Sequence, residues 1–129
     1  MGDQQIGVDI QEHALLRDET KEQAVLRIRR LARRFFHPSE ARYVDGEAQD
    51  FRRFFRVWAA RESFVKYTGQ GIDARFSEYC LIPEGFGSPE PDAWQAENVW
   101  IREIPFRESY TLCICTSKMC EIEEIVIRV

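Results

Sequence analysis

Glu62 and Lys66 stand four residues apart in Trp58-Ala59-Ala60-Arg61-Glu62-Ser63-Phe64-Val65-Lys66, and Trp58 precedes Glu62 by the same interval. On a helix this spacing stacks three side chains along one face, so a single stripe offers an aromatic ring, a carboxylate and an ammonium. Such an acid can accept a proton or hold a hard cation, and such an ammonium can offset phosphate charge. The plainer use of the same pair is an exposed ion bridge that adds a few tenths of a kcal/mol to a helix. A second acid, Asp9, is embedded in Ile6-Gly7-Val8-Asp9-Ile10. A short β-branched run with one carboxylate in it predicts a buried strand that ends at a polar site.

The elements that must position these groups follow from periodicity and punctuation. Thr20-Lys21-Glu22-Gln23 has capping-box spacing, and Ala24, Ile28, Leu31 and Phe35 then recur at three and four residues, predicting an amphipathic helix. Its other faces carry arginines: from Arg17 to Arg34 seven basic residues oppose three acidic ones, a surface suited to an acidic partner. His37-Pro38 breaks that helix and starts a shorter one to about Val44. After Asp45-Gly46, residues Glu47 to Thr68 carry the strongest helical pattern, with Phe51, Phe54, Phe55, Trp58 and Val65 inward and Gly69 and Gly71 as the stop. Pro83 to Asn98, rich in proline and glycine, reads as a long loop. Val99–Pro105, Ser109–Thr116 and Ile122–Val129 read as strands of a small antiparallel meander. The expectation is an α+β domain over residues 1–129, a small antiparallel sheet packed on a long central helix.

Composition sets the outer bounds. The 129 residues are 44% hydrophobic and 31% charged, enough apolar material for a core and unlike disordered or low-complexity chains. No apolar stretch approaches the roughly 18 residues that cross a bilayer, and the first residues lack a basic-then-apolar leader, so a cytoplasmic protein with no membrane role is expected. The net charge of -4 gives no support to bulk nucleic-acid binding. The four cysteines are expected to be reduced, and Cys113, Cys115 and Cys120 lack the partners of a zinc site.

The string Trp58-Ala59-Ala60-Arg61-Glu62-Ser63-Phe64-Val65-Lys66-Tyr67-Thr68-Gly69-Gln70-Gly71-Ile72 resembles the W-x-x-[KR]-E-[AS]-x-x-K-x-x-G-x-G-[LI] signature of the 4'-phosphopantetheinyl transferases. Upstream, Ile6-Gly7-Val8-Asp9-Ile10-Gln11 is similar to that family's G-[IV]-D-I-E strand. Between them, Arg34-Phe35-Phe36-His37-Pro38-Ser39-Glu40 resembles its R-F-F-x-P-x-E segment, and Tyr110-Thr111-Leu112-Cys113 fits a late strand. The family moves the phosphopantetheine arm of coenzyme A onto a serine of an apo acyl or peptidyl carrier protein and releases adenosine 3',5'-bisphosphate, with Mg²⁺ as cofactor.

By this resemblance Asp9 and Glu62 are expected to hold Mg²⁺, with Glu62 also receiving the serine proton. Gln11 stands where many relatives have a glutamate ligand, so this metal position lacks one charge. Lys66 matches the lysine that contacts the donor phosphates. Arg61, Gly69 and Gly71 are candidates for coenzyme A contact, each with a structural use as well: solvated charge for Arg61, helix stop for the glycines. Arg27, Arg30 and Arg34, with Arg29 and Arg33, match the basic first helix on which an acidic carrier docks. Larger members, of the Sfp type, fuse two such halves into a pseudodimer with the active site between them. One half alone implies a homo-oligomer, and a trimer is expected. The competing expectation is a non-catalytic coenzyme A or carrier-protein binding module with a degenerate site.

Overall fold

A computed structural model describes residues 6–14, 18–46, 51–69, 78–83, 86 and 90–117. In chain order these form β1 (Gly7–Glu12), α1 (Lys21–Phe35), α2 (Pro38–Asp45), α3 (Arg52–Thr68), β2 (Ala93–Ala96), β3 (Val99–Ile104) and β4 (Tyr110–Thr116). The four strands make one antiparallel sheet in the order β1-β4-β3-β2. With three helices among the described residues, the architecture is α+β.

The local chemistry of each boundary is visible. The Thr20 hydroxyl accepts the Gln23 amide at 3.1 Å while the Gln23 side chain takes the Thr20 amide at 2.9 Å, a closed capping box that opens α1. His37 Nδ1 accepts the Ser39 amide and Glu40 accepts the His37 amide, so α2 is capped reciprocally with Pro38 at its first turn. α3 ends on Gly69, whose φ of 74° closes the last turn with its amide on the Val65 carbonyl. The helix expected from Glu47 begins at Arg52, and residues 47–50 lie outside those described.

Two expectations are corrected. Pro83–Asn98 is not wholly loop: Ala93–Ala96 forms β2 and pairs with β3 across Glu97-Asn98, both at positive φ (50° and 64°), the backbone of a tight hairpin turn. Ala-Trp-Gln-Ala has no β-branched residue and follows three prolines, so propensity hid it. The second concerns β1, which is not buried on both faces. Gly7, Asp9 and Gln11 face α3, whereas Ile6, Val8 and Ile10 are 43%, 41% and 49% exposed. The cause lies at Gly7, where an added Cβ would sit 1.8 Å from the Ser63 carbonyl oxygen. Backbone thus meets backbone, and the branched residues fall on the opposite face of the pleat. The strand expected at Ile122–Val129 lies outside the described residues.

One core runs between the sheet and the helices. Val57, Ala60 and Phe64 of α3 share it with Trp94, Ile101, Cys113 and Cys115 from the sheet, with Ile28 of α1 and Phe36 at its C-cap, and with Val44 of α2. Cys113 and Cys115 are free thiols used as small core side chains. At the far end of α3 the buried Arg56 guanidinium lies between Glu90 (3.1 Å) and Glu103 (2.7 Å), over the Trp94 ring, and donates to the Pro91 carbonyl. Arg52 and Arg53 also pair with Glu90. This cluster fastens the chain entering β2 to α3.

Candidate active site

The close approach at Gly7 sets β1 against the C-terminal half of α3, and this contact creates the site. Asp9, 6% exposed, accepts Lys66 Nζ on Oδ1 at 2.9 Å and Gln11 Nε2 on Oδ2 at 2.7 Å. Lys66 Nζ also donates to the Val8 carbonyl at 3.1 Å, yet its side chain stays 53% exposed. Glu62, one turn back on α3, is half-buried; burial first and the Asp9 charge second push its carboxyl above the ordinary value, against the pull of Lys66 and Arg61. Two carboxylates with a mutually unfavourable field, held at the joint of a strand and a helix, gain from an added cation.

Among the described residues no group of three or more His, Cys, Asp and Glu side chains is placed to hold a metal ion. A cation at this joint would meet two carboxylates and the Gln11 amide. That is thin for zinc or calcium but fits Mg²⁺, which usually takes one or two carboxylates and completes its octahedron with water and substrate phosphate.

The structure brings Asp9, Gln11, Glu62 and Lys66 together. It does not bring Arg61 to them as a donor contact: Arg61 is 1% exposed, with Nη1 2.6 Å from Glu40 Oε1 and 2.8 Å from the Tyr79 carbonyl. Burial removes the guanidinium from any ligand, and the expectation of a coenzyme A contact there gives way to a core ion pair. Gly69 serves as the helix cap, with open space around its Cα, and Gly71 lies outside the described residues. On α1, Arg30 and Arg34 are exposed, whereas Arg27 is half-buried in a bidentate bridge to Glu19. Trp58 packs against Phe36 and Phe54 and steadies the helix below Glu62.

Two residues gained no separate role from sequence reasoning. Gly7 was visible only as a motif letter; the signal for its role is a glycine two before the acid, on the same face of a strand. Glu40 was likewise a motif letter, and its partner could not be read because it lies 21 residues away, on another helix.

Known proteins resemble this chain in sequence. The chain is 33% identical over 94 residues to a 4'-phosphopantetheinyl transferase of Bacillus subtilis, covering 67% of this chain and 40% of that protein. It is 29% identical over 103 residues to a 4'-phosphopantetheinyl transferase of Bacillus pumilus, covering 75% of this chain and 43% of the relative. The chain thus spans less than half the length of these curated relatives. The sequence profile of the 4'-phosphopantetheinyl transferase superfamily matches residues 5–115, a span that includes Asp9, Glu62 and Lys66, and the chain belongs to that superfamily.

Proposed function

We propose that this chain transfers the 4'-phosphopantetheine arm of coenzyme A to a serine of an apo acyl or peptidyl carrier protein, with Mg²⁺ as cofactor. The observation that carries this reading is the Lys66–Asp9 contact, which joins two motif segments 57 residues apart at one joint beside Glu62. Asp9 and Glu62 would hold Mg²⁺, with Gln11 fixing the Asp9 carboxylate; bound there, the ion supplies charge for the diphosphate oxygens and the leaving group. Lys66, exposed and one turn from Glu62, meets the donor phosphates. Glu62 takes the serine proton, directly or through water, as the serine Oγ forms its bond to the phosphorus bearing the pantetheine arm. The diphosphate P–O bond breaks and adenosine 3',5'-bisphosphate leaves with that oxygen. Burial and the Asp9 charge raise the affinity of Glu62 for protons in the metal-free chain.

The exposed arginines of α1, Arg30 and Arg34, form the docking surface for the acidic carrier, with Arg27 at its half-buried edge. The working form proposed with this reading is a homo-oligomer, with a trimer favoured over a dimer. The exposed Ile6, Val8 and Ile10 row gives apolar surface for such an interface. No helix among the described residues is long and apolar enough to cross a membrane, and the proposed place of work is the cytoplasm.

The second reading is a coenzyme A or carrier-protein binding module without transfer; the neutral Gln11 beside Asp9 favours it. Intact mass of a panel of apo carriers, incubated with this protein, coenzyme A and Mg²⁺ beside a chelated control, separates the two. A metal-dependent gain of one phosphopantetheine arm, lost in Glu62→Ala, supports the transferase. Transfer unaffected by Glu62→Ala removes it, and tight coenzyme A binding with no gain on any carrier selects the binding module.

A further inference from the structure

Buried ion pairs are weak stabilisers, because desolvation cancels most of their attraction and apolar side chains of equal volume often do as well or better. Arg61 and Glu40, 1% and 0% exposed and 2.6 Å apart, therefore need another reason to be there. Their contacts supply one. Glu40 Oε1 accepts from Arg61 Nη1 and from the His37 amide at 3.0 Å, and Oε2 accepts the Leu81 amide at 2.7 Å. Arg61 also donates to the Tyr79 carbonyl at 2.8 Å. One carboxylate and one guanidinium thus fasten the start of α2 and the Tyr79–Leu81 segment to α3, at the residue next to Glu62.

We propose that Glu40 and Arg61 are positioning residues, whose buried pair fixes the rotation of α3 about its axis so that Glu62 faces Asp9 at the β1–α3 contact. A helix turns about 100° per residue, so anchoring side chain 61 in the core determines where side chain 62 points. Ser63 supports the same alignment, since its backbone is what Gly7 packs against. Among the influences on the Glu62 carboxyl the Arg61 charge is the smallest, so the effect of the pair is one of aim more than of charge. It also explains why both motif positions, Glu40 and Arg61, carry charge although neither faces the site. The proposal rests on the transferase reading for its consequence in catalysis and on geometry for the rest.

The test uses Arg61→Lys, Arg61→Met and Glu40→Gln, with folding checked by circular dichroism, Mn²⁺ affinity by calorimetry, and kcat and KM by carrier charging. Arg61→Lys keeps both, because an ammonium has donors for Glu40 and for the Tyr79 carbonyl. Folded Arg61→Met and Glu40→Gln lose about 10–100-fold in kcat, with weaker Mn²⁺ binding and little change in the KM for carrier. If Arg61→Met does not fold, Glu40→Gln decides, since its amide oxygen still accepts a backbone amide. Wild-type kcat and Mn²⁺ affinity in either folded variant overturns the proposal. So does a folded Arg61→Lys as impaired as Arg61→Met, which would assign the guanidinium a direct role. If the wild-type chain charges no carrier, the transferase reading fails, while the Mn²⁺ affinities still decide the pair.

Discussion

At the residue scale the site is a contest for Asp9. Lys66 neutralises it, its ammonium standing 2.9 Å from Oδ1, while Oδ2 accepts from Gln11. Lys66→Met is therefore expected to bind Mn²⁺ more tightly, by about tenfold, while losing transfer, because the charge that competes with the metal is also the charge that meets the donor phosphates. Calorimetry and carrier charging on one preparation check both halves. Glu62 gives a pH prediction. Its folded value is raised by burial and by Asp9, so the folded state holds the proton more firmly than the unfolded one. Stability is then highest below the unfolded value near 4.5 and falls as pH rises towards the folded value. Glu62→Gln removes that fall: its unfolding midpoint should exceed the wild type's by a few degrees at neutral pH and match it at low pH, with transfer abolished. Melting curves from about pH 4 to about pH 8 read this directly. The stacking of Glu62 and Lys66 on one helix and the strand around Asp9 were legible in sequence, because spacing by four and a β-branched run are local signals. The burial of Arg61 was not, since it depends on an acid 21 residues away.

At the element scale the packing of β1 on α3 decides whether the site exists. Gly7→Ala would place a methyl group 1.8 Å from the Ser63 carbonyl and push the strand off the helix. The expected loss is about 1–3 kcal/mol in denaturant unfolding, with weaker Mn²⁺ binding because Asp9 moves with the strand. At the other end of α3, Arg56→Leu removes the buried partner of Glu103, whose carboxyl burial already pushes up. The expected cost is about 3–5 kcal/mol, more severe at high pH than at low, and Arg56→Leu with Glu103→Leu should recover much of it. The capped helices and strands β3 and β4 could be read from the chain because capping boxes and β-branched runs act within a few residues. The two-faced β1 could not, because what selects the inner face is a helix that arrives some fifty residues later, and hydrophobic pattern alone favours putting Ile6, Val8 and Ile10 inside. β2 escaped for the opposite reason: its hairpin turn dictates it more than its own residues do.

At the scale of the whole molecule the chain spans 40–43% of the length of the two Bacillus relatives it matches. The described residues bring two carboxylates, an amide and a lysine together from one strand and one helix. They leave Lys66 half open to solvent and an apolar β-branched row uncovered on the far face of the sheet. Both features fit a second copy, which would shield the donor from water and cover that row. If the working form is an oligomer, specific activity must depend on protein concentration, because the assembled species dissociates on dilution by mass action. Transfer per chain should stay constant at high concentration and fall steeply below the dissociation constant, at the same concentration where light scattering shows the mass drop from a multiple of 15.2 kDa to one chain. Activity per chain that is flat across that transition would assign the complete site to a single copy. Ile10→Asp, on the exposed row and away from the Asp9 face, should shift both curves together to higher concentration and leave Mn²⁺ affinity unchanged.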